Sequence, residues 1–345
     1  MKPENKKFIP LSVPNLSGNE LKYVKECLSS GWISSVGKYV NEFENSVASY
    51  VKSKYGVAVV NGTSALHIAL KIIGVKSNDY VIMPNITFVA TANSIKYLGA
   101  DPILIDADIN TWQMDLELLN EFLEKETYLN DNGNLILSKD KRIIRAIVPV
   151  HVQGNIGDMD KLLSISKKYN LKIIEDAAES LGSTYKGKHS GTFGLLGCFS
   201  FNGNKIISSG GGGVIVSNDK NLADKAKHLT TTAKTDSLHY YHDMVGYNYR
   251  LVNVLAAIGL AQMEQLDVFL KKKKSIYDYY KNNLKNISDI SFQKVLKDVD
   301  HNNWLITIKT KQQKKLLDYL NFNNILSRPF WCPMNKLPMY KDLIY

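Results

Sequence analysis

Apolar and polar positions change rhythm repeatedly along the first two thirds of the chain. Short apolar runs bounded by turn-forming residues alternate with segments whose apolar positions recur every three to four residues. VAVV (57–60) leads into TSALHIALKIIG, and YVIMP into TFVATANSIKYLG. ILIDAD precedes LELLNEFLEKE, IIRAIVPVHVQG precedes DMDKLLSISKKYN, and LKIIEDAAES runs into a loop. Continuous apolar strands separated by amphipathic helices predict an α/β fold with a mostly parallel central sheet sandwiched by helices. GVIVS and the helical NLADKAKHL are expected to close that sheet. Residues 126–140, ETYLNDNGNLILSKD, read as a polar excursion or hairpin.

The rhythm changes near residue 250. A long helical pattern runs from about Val252 toward residue 284, followed by SFQKV, NNWLITIKT, KKLLDYLNFNN and ILSRPF. These short mixed elements suggest a small α+β domain. The expected division is a large α/β domain over 1–250, and a linking helix with a small C-terminal domain over 251–345.

Composition narrows the function only a little. Hydrophobic residues make up 44% and charged residues 22% of the 345, as in an ordinary soluble protein. No apolar run is long enough to span a bilayer, and MKPENKKFIP lacks the apolar core of a signal peptide, so a cytoplasmic protein is expected. Cys27, Cys198 and Cys332 stand far apart, outside any zinc-binding spacing, so reduced thiols and no metal are expected. The net charge is +10, but only four basic residues are arginine and the lysines are scattered. Nucleic-acid readout leans on clustered arginine, which makes a lysine-rich solvated surface the better account; an anionic small substrate would still gain from the field.

Candidate chemistry gathers in loops that follow strands, where open α/β sheets bind ligands. In CFSFNGNKIISSGGGG, Lys205 stands between apolar runs that imply burial, and four glycines follow it. A lysine kept from water can act as a nucleophile, and the glycines are expected to leave room beside it for a ligand. After VAVV, Asn61-Gly62-Thr63-Ser64 opens a helix: the glycine permits a tight turn, and N–H groups with two hydroxyls offer an anion site. The same residues serve equally as an ordinary helix cap. Asp176 ends the strand LKIIE, where a carboxylate needs a partner: a protonated ring nitrogen, or simply the next turn. Phe88 could stack on a flat ring or belong to the core. Together these are the requirements of pyridoxal 5'-phosphate.

NGTSALHIAL, PNITFVATANSI, EDAAESLGS, FSFNGNKIISSGGGG and GYNYRLVN occur in the order found in the DegT/StrS-type nucleotide-sugar aminotransferases, which this chain resembles from about Pro10 to Pro338. The resemblance implies fold type I of the pyridoxal phosphate enzymes and a homodimer with active sites shared between subunits. It implies Lys205 as the Schiff-base lysine, Asp176 as partner of the ring nitrogen and Glu179 beside the ring hydroxyl. Phe88 and Ala178 would flank the ring. Gly62, Thr63, Ser64 and Ser200 would hold the phosphate, with Asn248 reaching the other subunit's phosphate. Trp32, Ile33 and Ser34 match an early substrate loop; His151, Asn204 and Arg250 are further candidates for substrate contact. Trp32 could equally anchor a helix, His151 sit in the core and Arg250 form a structural ion pair. SLHYYHDMVGYNYR could line a nucleotide pocket.

The expected reaction is transamination of a nucleotide-linked 4-keto-6-deoxy sugar with glutamate as donor, in bacterial surface-polysaccharide or nonulosonic-acid biosynthesis. The turn Asn-Gly-Asn before Lys205 and HLTTTAK after it look most like enzymes of the legionaminic acid type, which implies a UDP-linked 2-acetamido-2,6-dideoxy-4-keto-hexose. Rival readings are a sugar dehydratase, whose known members carry His in place of the lysine, a non-catalytic cofactor-binding regulator, and nucleotide binding without the cofactor. Relatives usually continue past PMYKDLIY, which reads either as a truncated C-terminal domain or as a subfamily that ends early.

Overall fold

The computed structural model describes residues 7–236 and 238–345. Residues 1–6, part of the terminal stretch considered above, and Ser237, which begins SLHYYHDMVGYNYR, lie outside the described residues. Two helices come first, α1 (Glu20–Ser30) and α2 (Lys38–Tyr50). Then follow β1 (Tyr55–Val59), α3 (Gly62–Ile72), β2 (Tyr80–Pro84), α4 (Ala90–Lys96), β3 (Asp101–Ile105) and α5 (Leu116–Glu126). β4 (Ile143–Ile147), α6 (Met159–Lys168), β5 (Lys172–Asp176), β6 (Leu196–Ser200), β7 (Gly213–Ser217) and α7 (Lys220–Thr230) continue the series. The predicted polar excursion is a hairpin of Thr127–Leu129 with Leu135–Leu137.

The main strands lie in the order β1-β7-β6-β5-β4-β2-β3. From β6 to β3 every neighbouring pair is parallel, whereas β7 runs antiparallel to both β1 and β6. β7 therefore does not close the sheet at an edge; it is inserted beside β1, which becomes the edge. Two-residue periodicity sends alternate side chains to opposite faces. Val57, Val59 and Ile215 pack with α3, α4 and α7 on one face. Ala58, Val214 and Val216 pack with α2 and the helix α8 (Asn253–Met263) on the other, where Ile82, Ile103 and Ile147 meet α5 and α6.

The long helical pattern after Val252 is two helices, α8 and α9 (Leu266–Leu284). Ser291–Phe292 pairs with Ile308–Lys309 and precedes α10 (Gln313–Phe322), while Val299–Asp300 pairs with Thr184–Tyr185. The final segment returns to the main sheet: Leu104 of β3 donates to the Ile344 carbonyl at 2.8 Å, and Tyr340 is buried in the core. Among the described residues no helix is long and apolar enough to cross a membrane.

Candidate active site

Strand β5 ends at Asp176, which is only 5% exposed. Its carboxylate accepts the Thr91 hydroxyl of α4 at 2.7 Å and the Ala178 N–H at 3.2 Å. Burial pushes this carboxyl above its usual range, although the Thr91 hydrogen bond and the nearby Lys205 ammonium pull the other way. Three residues on, Glu179 is also buried. One of its oxygens accepts the Gln153 N–H at 2.8 Å and the other lies 3.6 Å from Lys205 Nζ. Desolvation, opposed by the lysine, brings Glu179 up to about 7, so it stands between its two protonation states at neutral pH.

Lys205 projects from the β6–β7 loop with its side chain 12% exposed. Its ammonium also lies 4.4 Å from the ring centroid of Trp304. At the end of β6, α3 begins at Asn61, whose side chain accepts the Ser64 N–H at 2.8 Å; the first N–H groups of a helix have no partner within it. A Cβ on Gly62 would stand 2.8 Å from Ser200 Cβ, so only glycine lets the helix start approach the end of β6. Among the described residues, the hydroxyls of Thr63, Ser64 and Ser200 have no hydrogen-bond partner. A glycine-lined helix start with three free hydroxyls suits a phosphate. Two buried carboxylates, Asp176 and Glu179, a lysine 3.6 Å from the second of them and this cup fit pyridoxal phosphate.

The last glycine of the run packs against the start of α3. A Cβ on Gly213 would lie 2.6 Å from the Asn61 carbonyl and 2.9 Å from Gly62 N, and Gly212 adopts φ +130°. Gly213 thus makes room for the chain's own strand-to-helix turn, whereas a Cβ on Gly210 or Gly211 would meet no atom closer than 3.6 Å.

Two further candidates are engaged elsewhere. The Arg250 guanidinium is buried and bound by both carboxylate oxygens of Glu44, with Ala58 O at 3.3 Å from it. His151 is 1% exposed, and its Nε2 lies 2.9 Å from Glu175, a carboxylate that also accepts the N–H groups of Gly191, Phe193 and Gly194. Both belong to buried clusters, so neither is free to meet a substrate. Ala178 is half-buried directly after Asp176, whereas Phe88 is 54% exposed in the loop before α4. Asn204 is exposed, and its carbonyl accepts the Trp304 indole N–H at 2.7 Å. Asn248 lies at the surface, bridged to Thr231 beyond α7. Trp32 and Ile33 are exposed; Asn253 at the start of α8 holds their loop through the Trp32 and Ser34 carbonyls.

Sequence reasoning passed over Thr91, Gln153, Asn302 and Trp304. Thr91 sits inside the quoted PNITFVATANSI, but nothing local marks its hydroxyl as a carboxylate donor. Trp304 lies 100 residues beyond the Asn204 carbonyl it binds, a pairing that no local pattern reveals.

Comparison with known proteins identifies the family. The chain matches the DegT/DnrJ/EryC1/StrS aminotransferase family over residues 14–345. It is 41% identical to GDP-perosamine synthase of Escherichia coli O157:H7, over 97% of this chain and 88% of that protein. It is 38% identical to GDP-perosamine synthase of Caulobacter vibrioides, over 97% and 87%. The solved structure of Helicobacter pylori PseC, an aminotransferase involved in pseudoaminic acid biosynthesis, superposes with a TM-score of 0.87 at 27% identity, covering 98% of this chain and 88% of that one. With its fold type I architecture and a site that fits the cofactor, the chain belongs to the DegT/DnrJ/EryC1/StrS family of pyridoxal phosphate-dependent aminotransferases.

Proposed function

We propose that this chain transfers an amino group from glutamate to the keto carbon of a nucleotide-linked 4-keto-6-deoxy sugar, as a cytoplasmic homodimer with shared sites. The observation that carries this is the convergence of Lys205, Asp176 and Glu179 beside the free hydroxyls of Thr63, Ser64 and Ser200. Pyridoxal phosphate, when bound, supplies an electron-withdrawing ring that acidifies the carbon bearing the transferred nitrogen. Asp176 would keep the ring nitrogen positively charged, since a buried carboxylate is stabilised by a cationic partner. Thr91 fixes its orientation. Lys205 Nζ would carry the proton from the donor's α carbon, and later deliver one to the sugar carbon. Glu179, near 7, can hold or release a proton beside that lysine. The exposed positions of Phe88 and Asn248 support sites completed by a second subunit.

Two relatives 38% to 41% identical are named for GDP-perosamine, which favours a GDP-linked sugar. Likeness to PseC favours the second reading, a UDP-linked 2-acetamido-2,6-dideoxy-4-keto-hexose of a nonulosonic-acid route such as that to legionaminic acid. The test supplies purified protein with pyridoxal phosphate, glutamate and GDP-, UDP- and dTDP-linked 4-keto sugars, with products read by mass spectrometry. Amination of one sugar, with a near-visible band that Lys205→Ala abolishes, is the expected result. Loss of water from the sugar without amination would instead identify a dehydratase, and a protein that never takes up the cofactor would overturn the assignment.

A further inference from the structure

Trp304 comes from the segment after α9, yet its ring faces the site lysine. Three hydrogen bonds fix it there. Its N–H donates to Asn302 Oδ1 at 3.1 Å, its carbonyl accepts from Lys273 Nζ of α9 at 2.9 Å, and its indole N–H donates to the Asn204 carbonyl at 2.7 Å. The last bond grips the residue directly before Lys205. Asn302 in turn donates to the carbonyls of Glu179 and Leu181 at 2.8 and 2.9 Å. One short segment thus braces both loops that present the lysine and Glu179. Trp304 is 2% exposed, and Lys205 Nζ lies 4.4 Å from its ring centroid. The negative face of an indole attracts an ammonium within about 6 Å, more strongly where water is excluded.

We infer that Trp304 is a positioning residue whose ring face holds the ammonium form of Lys205 in the site, beside the Glu179 carboxyl. The charged groups facing that ammonium are Glu179, at 3.6 Å, and Asp176, which interacts with it electrostatically. Both lie at or just beyond the end of β5, and Lys273 is directed to the Trp304 carbonyl. A neutral ring steadies the cation without forming a second salt bridge that would have to be broken. The inference rests on Lys205 being the reactive lysine of the proposed reaction.

Competitive labelling of cofactor-free protein tests it. The protein is treated with acetic anhydride across a pH series, and acetylation of the Lys205 peptide is read by mass spectrometry. Trp304→Leu should move the labelling midpoint to lower pH by about 0.4 to 1.5 units, which corresponds to a change of about 2- to 30-fold in the amine-to-ammonium ratio. Trp304→Phe keeps an aromatic face and should move it less. A leucine variant that does not fold is replaced by fluorinated tryptophan at position 304, with Trp32, Trp112 and Trp331 changed to phenylalanine. Fluorine drains charge from the ring face at nearly constant shape, so the midpoint should fall stepwise with fluorine number. A midpoint indifferent to fluorination, or a phenylalanine variant displaced as far as leucine, overturns the inference. The labelling needs neither cofactor nor sugar, so its failure is distinct from failure of the proposed reaction.

Discussion

Replacing Glu179 by glutamine isolates the cost of burying that carboxylate. Its folded-state pKa is about 7 against an ordinary 4.5, so between those values the folded protein binds more protons than the unfolded chain. Stability therefore falls as pH rises through this window, and the loss is complete above it. From the two pKa values, the difference accumulated between pH 5 and 8 is roughly 2 to 3 kcal/mol. A chain of 345 residues unfolds with an entropy of about 0.7 kcal/mol per degree, so this corresponds to about 3 to 4 °C in Tm. Glutamine can still accept the Gln153 N–H through its amide oxygen but has no charge to desolvate. Thermal unfolding of cofactor-free wild type and Glu179→Gln at pH 5, 6, 7 and 8 should therefore give curves that diverge, the variant gaining relative stability as pH rises. A constant offset across the series would refute the reasoning and show that Glu179 is not held above its ordinary range.

Gly62→Ala drives a Cβ against Ser200 and should weaken pyridoxal phosphate at least ~10-fold, while pyridoxal without its phosphate is bound nearly as before; a titration of both ligands shows equal loss if Gly62 serves only the fold. Thr91→Val removes a hydrogen bond to a buried carboxylate and should lower kcat by about 10- to 150-fold, with little change in the sugar KM. A change confined to KM would count against Asp176 as the ring partner. Arg250→Met leaves Glu44 buried without its guanidinium and should cost about 3 to 5 kcal/mol in denaturant unfolding. Wild-type stability with a raised KM for the sugar nucleotide would instead return Arg250 to the substrate site.

Local sequence determined the alternation of strands and helices, because apolar periodicity reports which face of each element is buried. It also marked the chemistry at the strand ends. Lys205, Asp176, Glu179 and the Gly62–Ser64 turn each occupy a loop or strand end whose role follows from its immediate neighbours. What depended on contacts between distant segments could be decided only by packing. β7 lies inside the sheet because its partners, β1 and β6, flank it from opposite sides in space. Gly213, its first residue, makes room for the turn at Asn61, more than a hundred positions earlier. Arg250 and His151 carry charge or proton chemistry that looks catalytic in isolation, but Glu44 and Glu175 hold them. Trp304 looks like one apolar residue of a strand, and only the return of the chain after α9 sets its ring against the lysine. Periodicity and residue chemistry are properties of neighbours along the chain, whereas a buried polar group takes whichever partner the tertiary fold brings to it.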